Sequence, residues 1–232
     1  MSTKILYEDN HLLVVVKPPD IPVQEDISGA LDLLSLLKEE IKVKYNKPGN
    51  VFLGLVHRLD RPVGGVMVFA KTSKAASRLS SQIREHTMDK TYLCVVKGCP
   101  EALKGRLTDY LLKNTQNNTV KVVSSDTPQA KEAILEYEVL QQIQGLSLVK
   151  ILLITGRSHQ IRVQMAQNGT PLFGDVKYGY KGDKSDVTLA LWAYQLEIEH
   201  PIKKERMLFA SSPPDFYPWN LFGKIGDIPQ RG

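Results

Sequence analysis

The residues best suited to chemistry lie in two short segments. In the first, Val56-His57-Arg58-Leu59-Asp60-Arg61-Pro62-Val63-Gly64-Gly65, one carboxylate stands between two arginines, just before the apolar run Val66–Ala70. Adjacent cations keep a carboxylate ionised. An ionised carboxylate at the end of a strand can act as nucleophile or base. Gly64 and Gly65 have no side chains, so a ligand backbone can come close there. The same residues also suit a structural Arg–Asp turn feeding a buried strand. The second segment, Leu153–Met165, reads LITGRSHQIRVQM. A strand turns at Gly156 into a helix start, where Arg157, Ser158, His159 and Gln160 cluster with free backbone amides and Ser158 can cap the helix. Such a helix N-terminus can hold an anion or phosphate. The alternative is a capped helix whose polar residues face water.

Several other chemistries find no support. The chain has no Walker-type phosphate loop, no GxGxxG fingerprint and no GxSxG elbow. His11, His57, His86, His159 and His200 do not pair at metal-ligand spacing, and Cys94 and Cys99 cannot build a zinc site or a disulfide framework. Neither a metal nor an organic cofactor is expected. The 232 residues are 42% hydrophobic and 24% charged, values of a globular chain. Lys+Arg 30 against Asp+Glu 25 leaves a net charge of +5, which permits a polyanionic partner without demanding one. No apolar run approaches the ~20 residues that cross a bilayer, and no signal-peptide core is present. The expected setting is cytoplasmic, with no membrane partner.

The elements that must position these residues can be read from periodicity. Lys4–Lys17 reads as two strands around the Glu8-Asp9-Asn10 turn, followed by a loop forced by Pro18, Pro19 and Pro22. Leu31, Leu34, Leu37 and Ile41 predict a helix over Ala30–Lys44. Val63–Ala70 reads as a buried strand. A helix capped by Ser73 and striped by Ala76, Leu79 and Ile83 follows it. Thr91–Lys97, Ala133–Leu140, Leu146–Ile154 and Val187–Glu199 read as further strands, and Gly169 can close the helix begun at Ser158. Strands outnumber helices and do not alternate with them one for one. This predicts an α+β domain with a mixed sheet, in one domain over residues 1–232.

Taken together, the two chemical segments resemble the signature motifs of the RluA family of pseudouridine synthases. HRLDRPVGG and TGRSHQIRVQMAQNGTPLFGDVKYG carry the resemblance, with KTYLCVVKG between them, ILYEDNHLLVVVKPPDIPVQ at the start and LALWA through EHP near the end. The matches run in order from about Lys4 to about Phe209. The resemblance implies a catalytic domain with a mixed, largely antiparallel sheet. It implies cofactor-free isomerisation of uridine in ribosomal or transfer RNA, with the base detached, rotated and rejoined through a ring carbon; the protein itself is expected to be a monomer. The target base must leave its stack, so base flipping is implied. Asp60 matches the catalytic aspartate, Tyr92 the tyrosine that packs on the target base, and Arg162 the basic partner of the carboxylate. Arg58 matches the arginine that fills the space of the flipped base, and Leu191 an apolar position beneath the site. His57 and Gly65, within the same motif, are expected on the substrate side.

The chain departs from the pattern in places. Pro62-Val63-Gly64 stands where the family often has an acidic residue followed by Thr-Ser, which removes two hydroxyls. Asp20 stands where Gly is common; Asp tolerates left-handed backbone angles. Trp192 replaces a frequent His. The motifs begin almost at Lys4, so no N-terminal S4-type RNA-binding domain is expected. Phosphate contacts are then expected from Lys71, Lys74, Arg78 and Arg84, with Lys113 and Lys121. The rival reading is a catalytically inactive RNA-binding or RNA-chaperone protein on the same fold, for which the altered Pro62-Val63 stretch is the main support. An Asp-nucleophile hydrolase of small molecules fits less well.

Overall fold

The computed structural model describes residues 3–26, 29–179 and 188–223. Its elements follow in the order β1 (Lys4–Glu8), β2 (Leu12–Lys17), α1 (Leu33–Lys44), β3 (Gly54–Leu55), β4 (Gly64–Ala70), α2 (Ser73–Arg84) and β5 (Asp89–Lys97). Then come β6 (Lys104–Asn114), β7 (Thr119–Val123), β8 (Lys131–Ile143), β9 (Leu146–Leu153), α3 (Gln160–Gln167), β10 (Leu191–Glu199) and β11 (Arg206–Ala210), with a 3-10 turn at Trp219–Phe222. The chain forms two compact units, one of Met1–Asp89 with Ala193–Ser211, the other of Lys90–Trp192 with Ser212–Gly232.

In the first unit the strand order is β1-β2-β4-β10, with β3 also on β4 and β11 on β10. Strands β2 and β4 run antiparallel, Lys17 opposite Gly65 and Leu12 opposite Ala70. Both are apolar without a break because both of their faces are covered. Leu12, Val14, Val66 and Val68 pack with Ala75 and Leu79 of α2 and with Leu196, Ile198 and Phe209. Asp9 staples the β1–β2 turn: it accepts the amides of His11 (2.7 Å) and Leu12 (2.8 Å), and Nε2 of the buried His200 (2.9 Å). Nδ1 of His200 accepts two backbone amides, so Nε2 carries the ring proton. Glu8 binds Lys44, Tyr45 and Lys71, tying the end of α1 to β1.

The second unit contains the antiparallel ladder β5-β9-β8-β6-β7. Strands β6, β7 and β11 were not expected. Along β6, exposed Lys104, Arg106 and Thr108 alternate with half-buried Gly105, Leu107 and Asp109, and Leu111 is its one buried hydrophobic. Pairing holds it instead: Lys104 faces Glu138 and Arg106 faces Glu136 across the ladder, each as an ion pair. Gly105 lies under the ring of Tyr137, where a side chain would come within 2.8 Å of its hydroxyl.

Helix starts differ from the sequence reading by a few residues. Helix α1 begins at Leu33 because Asp32 accepts the Ser35 amide, and Leu33 replaces Leu31 on the buried stripe. Helix α2 is capped by Thr72, not Ser73. The expected strand from Val187 begins in the described residues at Leu191, and Val187 itself lies outside them. Among the described residues no helix is long and apolar enough to cross a membrane.

Burial pushes the carboxyls of Glu8 and Asp9 up, but their hydrogen bonds outweigh it and hold each at about 2, below the ordinary 4.5 and 3.8. Depressed carboxylates lend stability above their unfolded values, and that stability is lost as pH falls through the folded ones. The thermal midpoint should therefore drop between about pH 4.5 and pH 2, and the drop should be shallower in Glu8→Gln. Thermal melts by circular dichroism at stepped pH test this; equal slopes in the two proteins would refute it.

Candidate active site

The loop bearing Asp60 leaves β3 and returns into β4, so two paired strand ends bracket it. Three contacts fix its path. The ring of His57 accepts the Val68 amide at 3.1 Å, which takes the place of a further β3 residue and puts the ring proton on Nδ1. The Val63 amide donates to the Asp60 carbonyl at 3.0 Å, closing a turn. The third contact is Lys17, the last residue of β2, which is fully buried. Its ammonium donates to the carbonyls of Pro18 (2.9 Å), Arg61 (2.9 Å) and Val63 (2.7 Å), which uses all three of its protons. Across the same gap Arg61 Nε donates to the Asp20 carbonyl at 3.1 Å. Asp20 has a φ of 63°, the left-handed angle its side chain was expected to tolerate.

The loop's electrostatics centre on this lysine. Burial pushes the Lys17 ammonium down to about 8, while the carboxylates of Asp20 and Asp60 oppose the shift. Asp60 is half-buried between the exposed Arg58 and Arg61. Val63, where the family often carries a hydroxyl, is buried and presents its carbonyl to Lys17. Pro62-Val63 thus lies within the anchored turn.

Gly65 and His57, expected on the substrate side, also make contacts within the protein. Gly65 has a φ of +120°, and a side chain there would meet the Ala193 carbonyl oxygen at 2.2 Å. The close approach that its lack of a side chain allows is made by the protein's own strand β10. The ring nitrogen Nε2 of His57 is occupied by the Val68 amide. Both residues shape the loop.

In the second unit, α3 is bolted to the sheet by two buried glutamines. Gln160 Oε1 accepts from Thr155 Oγ1 (2.8 Å) and the Arg157 amide (2.9 Å), and its Nε2 donates to the Ile134 carbonyl and to Gln164. Gln164 Nε2 donates in turn to Asp109 (2.8 Å) and the Ala133 carbonyl. This corrects the expectation of a Ser158 cap. His159 occupies the N-cap with a φ of 52°, left-handed where a capping side chain needs extended backbone, and makes no side-chain cap bond. Gly169 ends the helix at a φ of +79°, as expected.

Arg162 is buried and forms a two-pronged ion pair with Asp175, Nε to Oδ2 and Nη2 to Oδ1, both 2.8 Å. Sequence reasoning did not single out Asp175. It lies in the GDVKYG stretch, and a carboxylate thirteen residues beyond a helical arginine gives no periodic signal. Lys17 was missed for a different reason: a lysine ending a strand is ordinarily taken as exposed. Tyr92 is buried on β5 opposite Ile151, and Leu191 is buried at the start of β10.

The basic residues expected to meet phosphate fall into two groups. Lys71 is held by Glu8 at 2.8 Å, Arg78 donates to the Pro201 carbonyl, and Arg84 reaches Ser81. Lys74, Lys113 and Lys121 are exposed. Among the described residues no three His, Cys, Asp or Glu side chains are grouped so as to hold a metal ion.

Comparison with known proteins identifies the family and the fold. The family model for RNA pseudouridylate synthase matches residues 11–167. Ribosomal large subunit pseudouridine synthase C of Buchnera aphidicola is 33% identical over 226 residues, 93% of this chain and 68% of that protein. Ribosomal large subunit pseudouridine synthase D of Zymomonas mobilis is 32% identical over 222 residues, 91% of this chain and 69% of that protein. The chain spans about two thirds of the length of the curated relatives it matches. Among solved structures, human RNA pseudouridylate synthase domain containing 4 superposes with a TM-score of 0.80 at 24% identity, covering 94% of this chain and 92% of that one. The fold is thus the α+β fold of pseudouridylate synthases, and the chain belongs to the RNA pseudouridylate synthase family, in its RluA-type branch.

Proposed function

We propose that this protein converts uridine to pseudouridine in structured RNA, ribosomal or transfer, using the Asp60 carboxylate. The observation that carries the site is the Lys17 pin, which holds the backbone on both sides of Pro62 and presents a half-buried Asp60 on a fixed turn. The names of the relatives, which modify the large ribosomal subunit, favour ribosomal RNA. The family model crosses the boundary between the two units, which supports reading them as one catalytic domain. A ribosomal substrate also supports the cytoplasmic setting.

The reaction is an isomerisation. The bond from N1 of uracil to C1′ of the sugar breaks, the base turns, and a bond from C5 to C1′ forms. C5 loses a proton, and N1 takes one up. No oxidant or co-substrate enters the balance. Asp60 attacks the sugar, attacks the base, or stabilises the departing uracilate; the two attacks need it ionised. By resemblance, Tyr92 packs on the flipped base, Arg58 fills the gap in the RNA, Leu191 gives an apolar floor, and Arg162 supplies the cation that serves the carboxylate. His57 and Gly65 act through the shape of the loop. Exposed Lys74, Lys113 and Lys121 are the cations best placed to meet phosphate.

RNA carrying tritium at C5 of uracil should lose label to water with the wild-type protein and keep it with Asp60→Asn. Equal release by both would overturn the site, and binding by both without release would favour the inactive reading.

Lys17 gives a second test. Lys17→Met should leave three carbonyls unanswered and lower kcat by about 100-fold through misplacement of the loop. In the wild type, kcat should fall as pH rises through about 8, since a neutral amine has two protons for three carbonyls. Stability moves the other way. The folded value lies below the unfolded 10.5, so the burden of burying the charge lifts between about pH 8 and 10.5. Parallel rate and melting profiles check both signs. A flat rate profile across that range would count against the pin.

A further inference from the structure

Arg162 reaches its position through a set of contacts that the reaction as proposed does not use. Asp175 is fully buried, and its two oxygens receive four donors: Oδ2 takes Arg162 Nε, and Oδ1 takes Arg162 Nη2 and the amides of Lys177 (3.0 Å) and Tyr178 (3.0 Å). The backbone around it is equally constrained. The Asp175 amide donates to the Leu172 carbonyl, and the Gly179 amide donates to the Asp175 carbonyl. Burial alone would push the Asp175 carboxyl up; Arg162 and the two amides outweigh it and keep it below its ordinary value, hence ionised.

A planar fork gripped at two atoms cannot rotate about its long axis. The third side of the guanidinium is covered by Tyr178, whose ring centre lies 5.2 Å from the guanidinium carbon. The Tyr178 hydroxyl is itself fixed, 2.6 Å from Nδ1 of His159 and accepting the Val120 amide at 2.8 Å. Val120 belongs to β7, and Lys177 donates to the carbonyl of Asn118 in the β6–β7 turn at 2.9 Å. The guanidinium is thus oriented by the Asp175 carboxylate, and the oxygen-bearing ring over it is tied to the hairpin.

We infer that Asp175 is a positioning residue that sets the orientation of Arg162, and that Tyr178 links this orientation to the β6–β7 hairpin. The inference rests on the proposed reading of Arg162 as the cation that serves the catalytic carboxylate. Ion pairs buried this deeply are expensive relative to apolar packing of the same volume. A role in aiming Arg162 gives the buried pair a use.

The experiment is a double-mutant cycle on kcat, using a large-subunit ribosomal RNA transcript with tritium at C5 of uracil. Asp175→Asn keeps the oxygen that takes the two amides but loses the charge. It should lower kcat by about 10- to 100-fold with KM changed less than about 3-fold. In an Arg162→Ala background the same substitution should cost less than about 3-fold, because it acts through a side chain already removed. If the two losses multiply, or if Asp175→Asn turns over at the wild-type rate, the positioning role is overturned while the reaction stands. If the wild type releases no label, the reading of the reaction falls and the positioning role falls with it. Should Asp175→Asn fail to fold, Tyr178→Phe carries the cycle. It keeps the ring over the guanidinium, should lower kcat by about 3- to 10-fold, and should lose that effect in Arg162→Ala. An unchanged rate, or an effect that persists without Arg162, overturns the inference.

Discussion

A buried ammonium must find oxygen for each of its protons, and the chain around Lys17 is arranged to meet that demand. An unpaired cation in a dry interior is untenable. The carbonyls of Pro18, Arg61 and Val63 therefore have to converge on one point, and two of them belong to the loop that carries Asp60. The end of β2 and the start of β4 are thereby locked together just where their ladder reaches Lys17 and Gly65. Close packing of β4 against β10 at Gly65, the His57–Val68 bond and the left-handed Asp20 then follow as conditions for closing the same corner.

The second unit solves a related problem with neutral groups. Two glutamines, both nearly inaccessible, satisfy one another, the β8 edge and the half-buried Asp109, so α3 is attached on that side through neutral side chains of its own. The charge is kept for Arg162, which has its own carboxylate. A polar network this fully satisfied fixes position more sharply than apolar contact does, because each bond is directional. Rigidity is concentrated at the two motifs that chemistry singled out first.

Much of this could be read from residue types. Runs such as Leu12–Val16 and Val66–Ala70 announce strands buried on both faces, and Asp60 between two arginines marks its loop as a candidate site. The signal failed where the environment is one-sided or non-local. Strand β6 is held by partners far along the chain, Glu136 and Glu138, so its own composition gives no strand pattern. Ser158 is a good cap by type, but the helix begins one residue later, with His159 at the N-cap in a left-handed conformation. Lys17 and Asp175 look like surface residues until the carbonyls and the guanidinium that enclose them are in place. The resemblance to pseudouridine synthases supplied the roles of Tyr92, Arg162 and Leu191, which periodicity alone left as core or surface.

The ion pairs of the first unit bear on how much of the chain's charge is available to a partner. Lys71 and Lys44 share Glu8, Lys204 holds Glu199, and Arg206 holds Glu197. A cation already matched by a carboxylate contributes little to the counterion exchange that drives polyanion binding. The surplus of +5 is therefore a better measure of the effective electrostatic valence than the thirty lysines and arginines. For such a protein, discrimination among RNAs falls to shape and to the geometry of a few unmatched cations, and a change in ionic strength alters affinity less steeply than the basic count suggests.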